Sequence, residues 1–335
     1  MNALTPVTAT AGELADLTQR ANDYAVASHG IGTRRAYSSG WNHYVEWCTK
    51  FGREPLSGDP GAVALYITDC ADFGHAAATI NVRIAAIGKA HKMAGVSLNL
   101  KDATLVAVRS GINRTIGTAP KRKAAVVTRA EIRLMLAACA PSTDRMGARD
   151  RAIILIQFGS LLRRDEVAKL NIGDVELVPG KGLRVTIRKS KTDQTGAGEV
   201  VRINANPADP AFCAVRAFEQ WMQHRRQASD GGAPDRALFC RTGLRHAFSG
   251  EGIGDLAVRD VVKSAADKAG LDADAISGHT LRRSGITAAA EAGASLSEIM
   301  TQSRHKSVKV AMGYIDNANE WNNASSMAFG GGRAE

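Results

Sequence analysis

From Gly12 to about Asn113, apolar residues recur at spacings of three and four, the period of helices that bury one face. The clearest stretch runs from Thr33 to Lys50, where Tyr37, Trp41, Tyr44, Val45 and Cys48 share a face. Asp59 and Pro60 open a second helix that buries Val63, Ala64, Tyr66 and Ile67 and ends at Gly74. A third spans Ala78 to Ala94, with Ile80, Ile84, Ile87 and His91 as its stripe and Gly95 as its stop, and Leu105 to Ile112 continues the helical run. Residues 117–127 (GTAPKRKAAVV) break the pattern with Gly, Pro and the cluster Lys121-Arg122-Lys123, which predicts a basic linker. A capping box, Thr128-Arg-Ala-Glu131, then opens the apolar run Ile132 to Ala138, and helical spacing continues through 149–160 and 165–170. Leu183 to Arg188 alternates like a strand, and Glu199 to Ile203 is placed to pair with it across a polar, glycine-rich loop that holds Lys189 and Lys191. The remainder is helical, with breaks around 205–210, 228–235 and 241–255.

These elements predict a mainly α protein with a small antiparallel β-sheet, in two domains. A frayed N-terminus over 1–11 precedes a helical domain over 12–116. The linker over 117–127 leads to an α+β domain over 128–316 and a C-terminal segment over 317–335. The length, 335 residues, and a hydrophobic share of 44% are enough for two cores.

Charge narrows the function. The net charge is +10 and is not confined to a tail: residues 1–128 carry 14 Lys and Arg against 9 Asp and Glu, and residues 129–335 carry 29 against 24. A basic balance in both halves suits a protein that holds a polyanion with two surfaces. The five cysteines, Cys48, Cys70, Cys139, Cys213 and Cys240, form no CxxC pair and are odd in number, so neither a disulfide framework nor a zinc site is expected. The N-terminus lacks a basic-then-apolar leader pattern, and no apolar run reaches membrane-spanning length. The expectation is a cytoplasmic protein with access to DNA.

Three segments concentrate reactive side chains. They are Leu161-Leu-Arg163-Arg164-Asp165-Glu166, His279-Thr-Leu-Arg282-Arg283-Ser284-Gly285, and Arg304-His305-Lys306 followed by Met312-Gly-Tyr314-Ile315. Lys191 in the hairpin loop adds a fourth feature. Transfer of a phosphodiester to a side chain needs an in-line hydroxyl, fixed donors for the non-bridging oxygens and a proton for the leaving oxygen. Arginine supplies a planar fork that stays charged, lysine or histidine moves protons near neutral pH, and a tyrosine supplies the hydroxyl. No carboxylate cluster suggests a metal, and no cofactor is expected. Taken singly these residues have ordinary explanations. Arg163 would be a surface cation ending an apolar helix, Glu166 a helix-surface acid, His305 a cap near Ser307, and Tyr314 a core aromatic on a stripe with Val308, Ala311 and Ile315.

The set Arg163, Lys191, His279-x-x-Arg282, His305 and Tyr314, in this order and with the tyrosine nine residues after His305, resembles the active-site pattern of the tyrosine recombinases, also called the phage integrase family. The segments LLRRDEVAKLNIGDV, RKSKTDQTG, SGHTLRRSGITAAAEAGASLSEIM and KVAMGYI carry the likeness, which extends upstream to cover roughly residues 30–320. The resemblance implies a two-domain clamp with a core-binding helical domain and a catalytic domain. It also implies roles. Arg163 and Arg282 would hold the scissile phosphate, with Glu166 steadying that corner. Lys191 would protonate the leaving 5′ oxygen, with Lys189 as its competitor. His279 would bond the phosphate and help take the tyrosine proton, His305 would bond a non-bridging oxygen, and Tyr314 would form a 3′-phosphotyrosine link.

The expected partner is double-stranded DNA with inverted-repeat sites, bound by a homotetramer that is monomeric when free and acts through a Holliday junction. The short segment ahead of the first core-binding helix suggests a simple recombinase without an arm-binding domain. Thr33, Arg34, Arg35, Arg83, Lys89 and Lys92, with Lys121, Arg122 and Lys123 of the linker, are the expected DNA contacts. Two rival readings remain at this point: DNA relaxation of the type IB topoisomerase kind, and a DNA-binding protein without catalysis.

Overall fold

The computed structural model describes residues 15–20, 31–119, 125–188, 198–242 and 248–318. Lys121, Arg122, Lys123, Lys189, Lys191 and the segment 319–335 lie outside them. The chain divides into two compact units, Met1–Lys123 and Ala124–Glu335, and the division falls inside the stretch expected as a linker.

In the first unit a helical turn over 15–20 (α1) is followed by α2 (Ile31–Lys50), α3 (Pro60–Asp72), α4 (Ala77–Met93) and α5 (Ala103–Ile116). Asp59 caps α3 by accepting the N–H groups of Gly61 and Ala62, and Asp102 does the same for Thr104 and Leu105. The core is aromatic at one end, where Tyr44 and Trp47 of α2 close on Tyr66 of α3 with ring centroids 4.9 and 5.6 Å apart. Ile67, Ile80, Ile84, Ile87 and Leu105 complete it. Gly40 lets α2 cross α4 closely, since a Cβ there would stand 3.1 Å from that of Ala86. Trp47, which the stripe read from Tyr37 to Cys48 left out, is buried, whereas Tyr37 and Trp41 are half-buried.

The second unit opens with α6 (Arg129–Ala138), entered through the capping box of Thr128 and Glu131. α7 (Arg145–Ser160) is buried along most of its length, and α8 (Arg164–Ala168) follows after a tight corner. A three-stranded antiparallel sheet then runs in the order β1 (Val175–Val178), β2 (Gly182–Ile187), β3 (Glu199–Asn204). Val185 pairs with Val175 on one side and with Val201 on the other. Leu183, Val185 and Ile187 thereby face the core together with Val201 and Ile203. The hairpin matches the alternation in the sequence. Strand β1 was not expected, because four residues with two exposed acid and apolar positions give too little alternation to stand out.

Helices α9 (Ala214–Arg225), α10 (Asp255–Lys268), α11 (Thr280–Glu291), α12 (Leu296–Ser303) and α13 (Val308–Ala318) complete the unit. Trp221 of α9 is fully buried and donates its indole N–H to the Leu238 carbonyl at 2.9 Å. Gly285 sits where α11 meets the end of α7, and a Cβ there would stand 2.4 Å from a Leu161 methyl and 2.5 Å from the Phe158 carbonyl oxygen. That close approach brings the first turn of α11 against the α7–α8 corner. No described helix is long and apolar enough to cross a membrane.

Candidate active site

Two corners build the site. The first follows α7, where Leu161 takes the left-handed conformation with φ 56°. The chain reverses there and places Arg163 at the N-cap of α8. Arg163 therefore begins a helix and does not end one, contrary to the surface-cation explanation. The second corner follows α12, where Arg304 is left-handed with φ 59° and His305 comes next. Among the described residues these are the two non-glycine positions with positive φ. A β-carbon in that region costs on the order of 1–2 kcal/mol, so both turns are held by something else.

Arg282, one turn into α11, holds them together. Its Nη1 donates to the carbonyl of Leu161 and its Nη2 to the carbonyl of Ser303. Nη2 also lies 3.2 Å from His305 Nε2. A guanidinium can only donate, so His305 Nε2 accepts and its proton sits on Nδ1, which is 2.8 Å from the Ser303 hydroxyl. Three donor interactions are thus committed inside the protein, and Arg282 is buried. Burial, followed by the nearby positive charge of Arg163, pushes its guanidinium down to about 10, although Glu166 and Tyr314 act in the opposite direction.

His305 also packs against Tyr314 on α13, their rings stacked with centroids 5.4 Å apart. Arg283 also lies over that ring, its Cζ 5.9 Å from the centroid. Tyr314 is half-buried against a small cluster of Leu161, Ile286, Ala290 and Ile299. Burial, then the charges of Arg282, Arg163 and Arg304, hold the His305 imidazole down at about 4. His279 forms the N-cap of α11 and is largely open to solvent. Partial desolvation, then Arg282, Arg164 and Arg163, lower its imidazole below the ordinary value.

Glu166 is buried and is no surface acid. Its Oε1 accepts from Arg163 Nη1 at 2.8 Å, and its Oε2 accepts the backbone N–H of Arg163 at 2.8 Å and Nη2 of Arg304 at 2.6 Å. Burial alone would raise this carboxyl, but Arg304 and Arg163 outweigh it and the carboxyl is held below its usual value. Arg304 also reaches Glu199 at the start of β3, 3.4 Å away. Of the neighbours to the expected clamps, Arg164 pairs with Asp255 at 3.1 Å.

The structure thus brings together Arg163, Glu166, Arg282, His305 and Tyr314, with His279 within electrostatic reach, and Lys191 lies outside the described residues. Sequence reasoning passed over Arg304 as a functional residue. Its only signal was its place beside His305, and nothing in a one-residue view marks an arginine as buried. Among the described residues no group of three or more His, Cys, Asp or Glu could hold a metal ion.

In the first unit, Arg34 and Arg35 are exposed on α2 and line an open groove with Ser38, Ser39, Asn42, His43 and Glu46. Thr33 is half-buried on the same helix. On α4, Lys92 is exposed and Lys89 half-buried, whereas Arg83 turns inward enough to donate to Cys70 Sγ at 3.2 Å.

The model of the phage integrase family matches residues 125–320, more than half of the chain, including Arg163, Glu166, His279, Arg282, His305 and Tyr314. The chain belongs to this family. It is 32% identical over 86% of its length to an integrase/recombinase XerD homolog of Selenomonas ruminantium, covering 82% of that protein. It is 23% identical over 82% of its length to the recombinase Cre of Escherichia phage P1, covering 80% of it. A crystal structure of the XerH site-specific recombinase, bound to a palindromic difH substrate as a post-cleavage complex, has the same fold. It is 18% identical, with a TM-score of 0.63 over 96% of this chain and 85% of that one. The protein is therefore a tyrosine site-specific recombinase by family, with the mainly helical fold and small antiparallel sheet of that group.

Proposed function

We propose that the chain cuts and rejoins duplex DNA with Tyr314 as nucleophile, in the manner of Xer and Cre recombinases. The observation that carries this is the convergence of two arginines, a neutral histidine and a tyrosine at two left-handed corners tied by one guanidinium. The Tyr314 hydroxyl oxygen attacks the scissile phosphorus in line. The bond to the 5′ oxygen breaks, and a 3′-phosphotyrosine bond forms in its place. The tyrosine proton passes towards His279, whose lowered imidazole is neutral and able to accept it near pH 7. Lys191 delivers the proton to the leaving 5′ oxygen.

Arg163 and Arg282 balance the charge on the non-bridging oxygens. Arg282 keeps its Nε–H and one Nη1–H for that purpose after its three internal contacts. Preorganised donors of this kind are worth about 3–4 kcal/mol each in the transition state. The covalent link conserves the phosphodiester energy, so rejoining is the reverse step with a 5′ hydroxyl as nucleophile. No ATP is consumed.

The DNA partner is a duplex with inverted-repeat sites. The palindromic substrate of the XerH structure supports the inverted repeat, and the +10 net charge spread over both halves supports a polyanionic partner. The exposed face of α2, with Arg34, Arg35, Ser38 and Asn42, supplies donors and acceptors of the kind that read base edges. Lys121, Arg122 and Lys123 add phosphate contacts. Two bound sites bring four protomers together in the cytoplasm, and strands exchange in pairs through a Holliday junction.

The test is covalent trapping. A nicked duplex carrying the inverted repeat that the wild-type chain enriches from a randomised library should give a denaturation-resistant protein–DNA adduct. Tyr314→Phe should give none while binding the same duplex within about twofold. An adduct that survives this substitution removes Tyr314 from the role. Relaxation of supercoiled DNA that lacks the enriched site would favour topoisomerase behaviour instead.

A further inference from the structure

Arg304 stands at a position where the backbone favours glycine. Its φ of 59° is left-handed, and its side chain is only 4% exposed. A large cation in such a place is costly both in backbone conformation and in desolvation. The location of its guanidinium gives a reason for keeping it there. Nη2 donates to Glu166 Oε2 at 2.6 Å, and Nη1 approaches Glu199 Oε2 at 3.4 Å. Glu166 is therefore one buried carboxylate shared between two guanidiniums.

The sharing decides what Arg163 can do. An arginine beside a lone carboxylate tends to close on both oxygens with its planar fork. Here Arg163 gives one side-chain N–H, from Nη1, to Oε1. The other oxygen, Oε2, is already taken by Arg304 and by the Arg163 backbone N–H. The rest of the Arg163 fork is kept out of the ion pair. Arg304 is also bonded in the chain to His305, and the carbonyl just before it, that of Ser303, accepts from Arg282. One residue therefore connects the Glu166–Arg163 corner to the Ser303–His305 corner.

We propose that Arg304 is a positioning residue for strand cleavage: by occupying Oε2 of Glu166 it stops Arg163 from closing bidentately on that carboxylate and keeps the Arg163 guanidinium turned to the scissile phosphate. This rests on the function proposed above for Arg163 and Tyr314. Arg304 itself touches neither DNA nor the reacting atoms.

The experiment uses the full chain and the same enriched nicked duplex. Single-turnover adduct formation and duplex affinity are measured for the wild type, Arg304→Gly, Arg304→Gln and Arg304→Lys. Glycine suits the left-handed backbone, and glutamine keeps reach without charge, so either variant suffices if the other does not fold. The expected result is cleavage slowed about 10- to 100-fold in both, the cost of a small misplacement of a catalytic group, with affinity unchanged within about twofold. Arg304→Lys, which returns a cation to Oε2, should recover most of the rate. In a Glu166→Gln background, Arg304→Gly should add no further slowing. Wild-type cleavage by the Gly or Gln variant overturns the proposal while leaving the function of Tyr314 intact. Equal slowing with and without Glu166 also overturns it, as does a Lys variant as slow as the Gly variant. If the wild type itself forms no adduct, the reading of the active site falls, and this proposal falls with it.

Discussion

Glu166→Gln removes one formal charge and almost no volume, which makes it a clean probe of the ion cluster beneath the site. In the wild type the carboxylate takes three donors: both Arg163 contacts and Arg304 Nη2. The amide of glutamine has one accepting oxygen and turns an NH2 towards one of the two guanidiniums. Arg163 is partly solvent-exposed and can turn outward. Arg304 cannot, because its side chain is 4% exposed, and among the described residues its only other acidic partner is Glu199 at 3.4 Å, itself 29% exposed. The substitution therefore leaves a buried charge with partial compensation. Breaking a buried pair from one side costs about 3–5 kcal/mol, and the Glu199 contact points to the lower end, about 3 kcal/mol. For a unit of this size that corresponds to a fall in Tm of about 6–12 °C.

The pH dependence has a definite sign. Burial raises the Glu166 carboxyl, but Arg304 and Arg163 more than offset it, and the folded value lies below the ordinary one. A group that holds its proton less tightly when folded stabilises the protein above its unfolded value, about 4.3 for glutamate, and loses that contribution as pH falls through the folded value. Calorimetry of the second unit's transition in the full chain should show the whole gap between wild type and Glu166→Gln at pH 7. The gap should narrow as pH falls below the unfolded glutamate value, about 4.3, and through the lower folded value. Adding Arg304→Gly to Glu166→Gln should restore part of the loss, because it deletes the stranded charge and relieves a left-handed β-carbon worth about 1 kcal/mol. A loss below about 1 kcal/mol at pH 7, or a double variant less stable than Glu166→Gln alone, would refute the reasoning.

Gly285→Ala should destabilise the second unit by about 1–3 kcal/mol. The added carbon meets the Phe158 carbonyl at 2.5 Å as well as a movable Leu161 methyl, and chemical denaturation with an unchanged m-value checks the loss. The same displacement of α11 should slow adduct formation, since Arg282 lies one turn away. His305 should titrate near pH 4 as the Nδ1–H tautomer, which nitrogen chemical shifts of the ring report directly. Its depressed value means that the unfolded chain binds the proton first, so its contribution to stability falls as pH drops from about 6.5 towards 4. A ring protonated at pH 6 would show that Arg282 does not donate to Nε2.

The sequence carried the architecture of the first unit because its helices are amphipathic and its caps are chemical. Asp59, Gly74 and Gly95 mark ends that the structure keeps. The hairpin was visible because β2 and β3 bury every second residue, whereas β1 was not. The reactive residues were legible as types and spacings, but their arrangement was not. A residue's distance from an α-helical cap can be counted along the chain. Whether Leu161 and Arg304 turn left-handed depends in both cases on Arg282 of α11, which donates to carbonyls 121 and 21 residues away. Glu166 and Arg304 are 138 residues apart, and nothing local in the sequence pairs them. Burial of charge is a tertiary property, and single-residue expectation points the other way.

Arg282 links stability to chemistry at this site. A left-handed corner that ends a helix is normally secured by glycine, and its geometry then depends only on local backbone. Here neither corner has glycine, and the carbonyl of Leu161 and the carbonyl just before Arg304 both accept from Arg282. The corners that present Arg163 and His305 are thus held by a third residue of the same site. A change in the position of Arg282 must move both neighbours, and strain at either corner must pull on Arg282. Such a site gains precision, because its cationic groups share one frame and cannot drift independently. It also leaves His305 with a choice. Its Nε2 now accepts from Arg282, so contact with a phosphate oxygen through that nitrogen requires a proton there and the loss of the Arg282 donor. The negative charge of a phosphate held as proposed above, by the remaining Nε–H and Nη1–H of Arg282, would favour that proton.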